Sequence, residues 1–149
     1  MKTESDDLVE GQAADAGTHP VIFFDGVCGL CDASVQFILK RDRRRRQFRF
    51  SPLQSDYAAS ALKRHGIDAP KLHSIVLLDA GRAWQESSAL LRIARRLGFP
   101  WSLFAAFYLL PRPLRDGAYR LVARNRYRLA KRKEACRLPT REERAQFIM

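Results

Sequence analysis

The sequence predicts an α/β domain: a four-stranded mixed sheet flanked by helices, with a helical extension toward the C-terminus. Short apolar runs rich in β-branched and aromatic residues, at 20–25, 47–52 and 75–78, are typical of buried strands. Residues 79–82 have the composition of a tight turn, which predicts a hairpin to a fourth strand. From about residue 99 the apolar spacing is helical only. A chain of 149 residues can bury an adequate core as a single domain.

Between and after these strands, the apolar residues recur at helical spacing. In chain order the predicted elements are strand 20–25, helix 28–42, strand 47–52, helix 55–65, strand 75–78, strand 83–86 and a helix ending at Leu97. Ser87 or Ser88 is expected to cap the start of the last helix, and Gly98 is expected to end it. Gly66 is expected to end the helix at 55–65. The third strand is apolar throughout, which predicts a central position in the sheet. This order, β-α-β-α-β-β-α, is that of a thioredoxin-like domain.

The helical extension opens with ten mostly apolar residues, 101–110. This run is too short to cross a bilayer, which needs about twenty residues, and Pro111 and Pro113 end it. No transmembrane segment is therefore predicted. We expect a core helix packed on the sheet; the alternative is a membrane-surface or partner-binding segment, which leaves peripheral membrane contact open. An amphipathic helix follows from Leu114.

The first residues of the chain differ in composition from the rest. Residues 1–19 are polar and acidic and contain no aromatic residue, which predicts a disordered tail ahead of a single domain at 20–149. They lack the apolar core of a secretory signal. Three cysteines are too few, and an odd number, for a secreted disulfide framework. We therefore expect a reducing, cytoplasmic location, while the oligomeric state is left undetermined.

The chain is strongly basic, with a net charge of +11. Arginines occupy all of 43–46, and further basic residues occur between 120 and 133. A surface for nucleic acid or anionic membranes is one interpretation; a solvated basic face near helix ends is the other. Because no nucleic-acid-binding motif accompanies the charge, we expect no specific nucleic-acid partner.

The residues with the clearest chemistry are Cys28 and Cys31, which follow the first strand and the turn at Asp25 and Gly26. Their spacing places both on one face at the start of a helix, where unpaired N–H groups and the helix dipole stabilise a thiolate. A Cys-x-x-Cys in this context indicates a redox pair that opens and closes a disulfide.

Two other interpretations of the pair remain. Two cysteines at this spacing form half of a zinc knuckle, and two buried cysteines can serve only as small apolar residues. A zinc site would have to draw single ligands from Cys136, His19, His65 and His73, which form no second close pair. We expect no metal and no cofactor.

The expected roles follow from position along the helix. Cys28, nearer the helix start and expected to be the more exposed, attacks a partner disulfide, and Cys31 resolves the mixed disulfide. Asp25 is either a proton relay or a residue that hydrogen-bonds the turn backbone, and both remain open. Cys136 is either a third redox thiol or inert.

Asp25, Cys28 and Cys31 match the Asp-x-x-Cys-x-x-Cys signature for which the DCC family of thiol-disulfide oxidoreductases is named. The resemblance extends over roughly 20–140, with similar blocks at 48–55, 87–94, 111–116 and 124–128. It implies a thioredoxin-like fold and dithiol exchange with a disulfide-containing protein or a small thiol. The competing class is a non-catalytic basic module that holds metal, nucleic acid or a membrane surface.

Overall fold

The predicted α/β architecture is confirmed in a computed structural model, which describes residues 19–26, 28–42, 47–69, 72, 74–125, 128 and 140–148. The strands are β1 (Val21–Phe24), β2 (Arg49–Pro52), β3 (Val76–Asp79) and β4 (Arg82–Gln85). The α-helices are α1 (Gly29–Asp42), α2 (Asp56–Lys63), α3 (Glu86–Leu97) and α4 (Arg112–Arg124). Among the elements that lie wholly within the described residues, Trp101–Leu109 and Glu143–Gln146 are 3-10 helices.

The four strands form one mixed sheet in the order β2-β1-β3-β4, which is consistent with a thioredoxin-like fold. β1 runs parallel to β2 and antiparallel to β3, so Ile22 faces Phe50 on one side and Leu77 on the other. The parallel pair requires a crossover, which α1 provides. The central position predicted for β3 is confirmed. Its hairpin to β4 turns through Ala80 and Gly81, both with positive φ, as a two-residue hairpin turn requires.

Alternate residues of the strands bury their side chains on opposite faces of the sheet. On one face Ile22, Phe50 and Leu77 pack with residues of α1 and α3. On the other face Phe23 and Val76 pack with residues of α2. The sheet is therefore covered on both sides, and α1, which begins directly after Cys28 and contains Cys31, is held by the first of these two clusters.

The predicted cap of α3 is wrong. The N-cap is Gln85, whose side chain makes no capping hydrogen bond, and Ser87 and Ser88 are buried inside the first turn. The Ser87 hydroxyl instead donates to the carboxylate of Asp116, which ties α3 to α4. At the other end Gly98 is the C-cap with a φ of 82°, as predicted. For α2 the C-cap is Arg64, and Gly66 lies two residues beyond with a φ of 71°.

The expectation that 101–110 forms a core helix on the sheet is also wrong. Residues Trp101–Leu109 form a 3-10 helix that packs against α3, and no residue of this fully described segment is buried. Three residues per turn align Trp101, Phe104 and Phe107, whose rings stack at 6.5 and 6.0 Å. A segment apolar on all sides cannot bury every face against one helix, so Leu109 remains 90% exposed. Within the described part of the chain, no helix has both the length and the apolar character needed to cross a bilayer.

The C-terminal segment, which the sequence analysis did not place, covers the β2 edge of the sheet. Ile148 donates its backbone N–H to the Phe50 carbonyl at 2.7 Å, and Phe147 forms a parallel bridge with Phe50. Both Phe147 and Ile148 are buried. The structure does not describe 1–18 or 43–46, so the predicted tail and the arginine run lie outside the described residues.

Candidate redox site

The cysteine pair lies where a strand ends and a helix begins, as the sequence predicts. Cys28 occupies the N-cap position of α1, because its carbonyl accepts the Asp32 N–H at 3.0 Å and the helix starts at Gly29. Its own N–H donates to the Asp25 carbonyl at 3.3 Å, which closes the turn after β1. Cys31 follows one turn inside the helix, so both sulfurs lie on the same side of it.

Both cysteines are free thiols, and they are hydrogen-bonded to each other. Burial raises the pKa of Cys31 to about 12, and the hydrogen bond to Cys28 and the negative charge there act in the same direction. The Asp25 carboxylate adds a smaller increase, while a hydrogen bond with the Asp25 backbone lowers the pKa. Cys31 therefore stays protonated at neutral pH, with its thiol donating to the Cys28 sulfur.

The expected order of exposure is wrong. Cys28 is completely buried, at 0% exposure, whereas Cys31 is partly exposed. The turn that carries Cys28 folds back on the end of β1 through the backbone hydrogen bond to Asp25. Position at the start of a helix therefore does not make this sulfur accessible.

Asp25 is buried and held by a side chain from the neighbouring strand end. The Gln54 side-chain amide donates to the Asp25 carboxylate at 3.0 Å, and its oxygen accepts the Gly26 N–H at 3.2 Å. Gln54 thus links the carboxylate and the turn backbone, and the sequence analysis assigned it no role in the site. The signal was available, because parallel β1 and β2 bring their carboxyl ends, and hence residues 25 and 54, to one edge of the sheet.

The other candidate residues do not join this site among the described residues. No group of three His, Cys, Asp or Glu side chains that could hold a metal ion occurs in the part of the chain that is described. Cys136 and His73 lie outside it, and His65 is exposed. Among the basic residues, Arg120 pairs with Glu86 at 3.1 Å.

A dithiol at the start of a helix that follows a strand is an arrangement typical of thiol-based redox proteins. The chain belongs to the DCC1-like thiol-disulfide oxidoreductase family, whose family model matches residues 22–132.

Two curated proteins illustrate this relationship. The chain is 38% identical over 128 residues to the uncharacterised protein YuxK of Bacillus subtilis, covering 86% of this chain and 93% of YuxK. It is also 38% identical over 122 residues to a chloroplastic DCC family protein of Arabidopsis thaliana, covering 80% of this chain and 70% of that protein. No solved structure matches the chain significantly.

Proposed function

We propose that this protein reduces or exchanges protein disulfides through the dithiol of Cys28 and Cys31. The observation that carries the proposal is the pair of free thiols at the start of α1, with the buried Asp25 carboxylate close by. The substrate is a disulfide-containing protein or a small thiol compound. A reducing compartment such as the cytoplasm suits this role, because the pair would rest there as a dithiol.

The proposed reaction has two steps. The Cys28 thiolate attacks a substrate disulfide, which forms a mixed disulfide and releases the first substrate thiolate. Cys31 then loses its proton and attacks the Cys28 sulfur, which releases the second substrate thiolate and leaves Cys28 and Cys31 joined. The two electrons gained by the substrate disulfide come from the dithiol. Because Cys28 is completely buried, the groups over its sulfur must move aside before the first step.

The direct test is the reduction of insulin by dithiothreitol, followed as precipitation of the insulin chains. We expect catalytic amounts of the protein to accelerate this reaction, because the dithiol is regenerated by dithiothreitol after each turnover. A rate equal to that of dithiothreitol alone contradicts the proposal and favours the non-catalytic binding module.

The proposed role of Asp25 is to accept the Cys31 proton in the second step. Asp25→Asn keeps the size and part of the hydrogen bonding to Gln54 but cannot take up a proton. We expect resolution of the mixed disulfide to slow by about 100-fold, the lower range for general-base catalysis, while mixed-disulfide formation continues. The measurement is single-turnover quenching with acid, which resolves the two steps. Asp56→Asn, which changes an exposed carboxylate at the start of α2, is the matched control. Equal resolution rates in the Asp25 and Asp56 variants would show that Asp25 only stabilises the turn and does not accept the proton.

The different environments of the two thiols predict different alkylation behaviour. In variants that retain only one cysteine, with Cys136→Ser in both, Cys31 should react with iodoacetamide only at alkaline pH, because burial keeps its pKa high. Cys28 should react more slowly with a bulky maleimide than with iodoacetamide, because its sulfur is covered. Denaturant should abolish both differences. A Cys31 that is alkylated at lower pH than Cys28 would reverse the proposed roles.

A further inference from the structure

A cavity of about 570 Å³ lies on the Cys31 side of the pair. Its walls come from the start of α1, from Ile75, and from α3, the Trp101–Leu109 3-10 helix and α4. Most of the lining is apolar and includes Leu30, Leu91, Phe107, Leu110 and Val122. The volume and the lining are those of a site for a small apolar ligand.

Two chemically distinctive groups line this apolar cavity. One is Cys31, the partly exposed member of the pair; Cys28 does not line the cavity. The other is Arg115 of α4, whose Nε and Nη1 atoms are buried without a hydrogen-bond partner among the described residues. The Arg115 guanidinium lies 5.0 Å from the centre of the Tyr108 ring. The face of the ring attracts the positive charge but is not an oxygen acceptor for the guanidinium N–H groups.

The environment of Arg115 differs from that of two arginines of α3. Arg92 and Arg96 both pair with the Asp79 carboxylate, at 2.9 and 2.8 Å. The acidic neighbour of Arg115, Asp116, is engaged by the Ser87 hydroxyl. Buried guanidinium donors that lack an acceptor are costly, so an acceptor oxygen brought by a ligand would gain charge-assisted hydrogen bonds here.

We propose that this cavity binds a dithiol carried on a short aliphatic chain, with a carboxylate or acyl oxygen at the other end held by Arg115. The apolar chain occupies the apolar walls, and the sulfurs lie beside Cys31. This inference rests on the proposed function, since it names the reductant that regenerates the pair. Both end groups offer Arg115 an acceptor oxygen. A carboxylate would belong to a free acid, and an amide-linked acyl group would belong to a chain attached to a carrier protein.

The redox step needs only the ligand dithiol and the disulfide between Cys28 and Cys31. A ligand thiolate attacks the Cys31 sulfur of the oxidised pair, the Cys28–Cys31 bond breaks, and Cys28 leaves as a thiolate. The second ligand thiol, once deprotonated, attacks the ligand sulfur of this mixed disulfide and releases Cys31, which takes up a proton. The ligand becomes a cyclic disulfide and its two electrons reduce the pair. Attack at Cys31 is the route that the cavity offers, because Cys28 is buried.

Binding is tested without any redox chemistry by titrating the reduced protein calorimetrically with octanoate and with octanamide. We expect binding of at least one of them, at least about tenfold weaker in Arg115→Ala, as loss of a charge-assisted hydrogen bond predicts. Tighter binding of octanoate supports a free acid, and tighter binding of octanamide supports an amide-linked chain.

The controls separate a loss of binding from a loss of folding. Arg112→Ala removes an exposed arginine from the same helix and should bind as the wild type does. Ala118→Trp should fill the cavity from an exposed helix position and also prevent binding. Absence of binding by both ligands, or undiminished binding in Arg115→Ala and Ala118→Trp, overturns the proposed site.

The redox part is tested by reducing the oxidised pair with dihydrolipoate or with dithiothreitol, which lacks the chain and the acid. With the oxidised protein, the rate constant for dihydrolipoate divided by that for dithiothreitol should be larger than the same ratio measured with a small linear disulfide. In Arg115→Ala this ratio should fall about tenfold. An unchanged ratio overturns this step.

If insulin is reduced with dithiothreitol but octanoate and octanamide do not bind, the inference fails while the proposed function stands. If they bind but insulin is not reduced, the proposed function fails.

Discussion

Cys28→Ser should abolish the acceleration of insulin reduction by this protein, leaving the rate of dithiothreitol alone. A serine hydroxyl is not ionised at neutral pH and cannot form a disulfide, so the first step of exchange is lost. Because Cys31 keeps its proton at neutral pH, it should not replace Cys28 as the attacking group. The comparison is made in a Cys136→Ser background, so that the remaining cysteine outside the pair does not contribute.

Cys31→Ser in the same background should form the mixed disulfide but not resolve it. A covalent complex with the substrate should therefore accumulate, visible by mass spectrometry and released by reducing agent. The same trap, applied to a cell extract, would identify candidate substrates. Full activity in Cys28→Ser would contradict the dithiol mechanism, and a trapped complex in Cys28→Ser but not in Cys31→Ser would reverse the roles of the two cysteines.

Asp42→Ala should destabilise the fold by about 3–5 kcal/mol, because three N–H donors lose their acceptor and each buried donor left unsatisfied costs about 1–3 kcal/mol. Asp42 is the last residue of α1 and is only 1% exposed. Its carboxylate accepts the backbone N–H groups of Gln47 and Phe48, at 3.2 and 3.0 Å. It also accepts the Gln146 side-chain amide at 3.1 Å, which holds the C-terminal segment on the β2 edge. Alanine leaves these donors without an acceptor.

The free energy of unfolding can be measured by urea denaturation, since a domain of this size is expected to unfold in two states. Asp56→Ala, an exposed carboxylate at the start of α2, should cost no more than about 1 kcal/mol, the range of a helix-dipole interaction. A loss below 1 kcal/mol for Asp42→Ala would show that the C-terminal segment does not depend on this carboxylate. Far-UV circular dichroism should confirm that each variant is folded before it is titrated.

The features that the sequence determined are local ones. Val21–Phe24 and Val76–Asp79 were identifiable as strands because apolar, β-branched runs bounded by turn residues have few other stable conformations. The same holds for the hairpin at Ala80 and Gly81 and for the end of α3 at Gly98. The placement of Cys28 and Cys31 at a helix start also follows from neighbouring residues alone. These predictions needed no knowledge of what packs against each element.

The tertiary structure decided which groups from distant parts of the chain meet. Gln146 contacts Asp42 across 104 positions of sequence, and Gln54 contacts Asp25 across 29. Ser87, which was predicted to cap α3, instead donates to Asp116, 29 residues away. Polar side chains such as these have several possible hydrogen-bond partners of similar energy. The partner that they bind depends on which donors and acceptors become buried away from water when the chain packs.

Burial at the site was decided in the same way. Cys28 is completely buried, whereas Cys31 and Arg115 line the cavity that forms where α1, α3 and α4 pack together. Sequence spacing places the two sulfurs on one face of a helix, but the exposure of each sulfur depends on what the rest of the chain lays over it. The position of the pair at a helix start was therefore determined by the sequence, and access to its sulfurs by the fold.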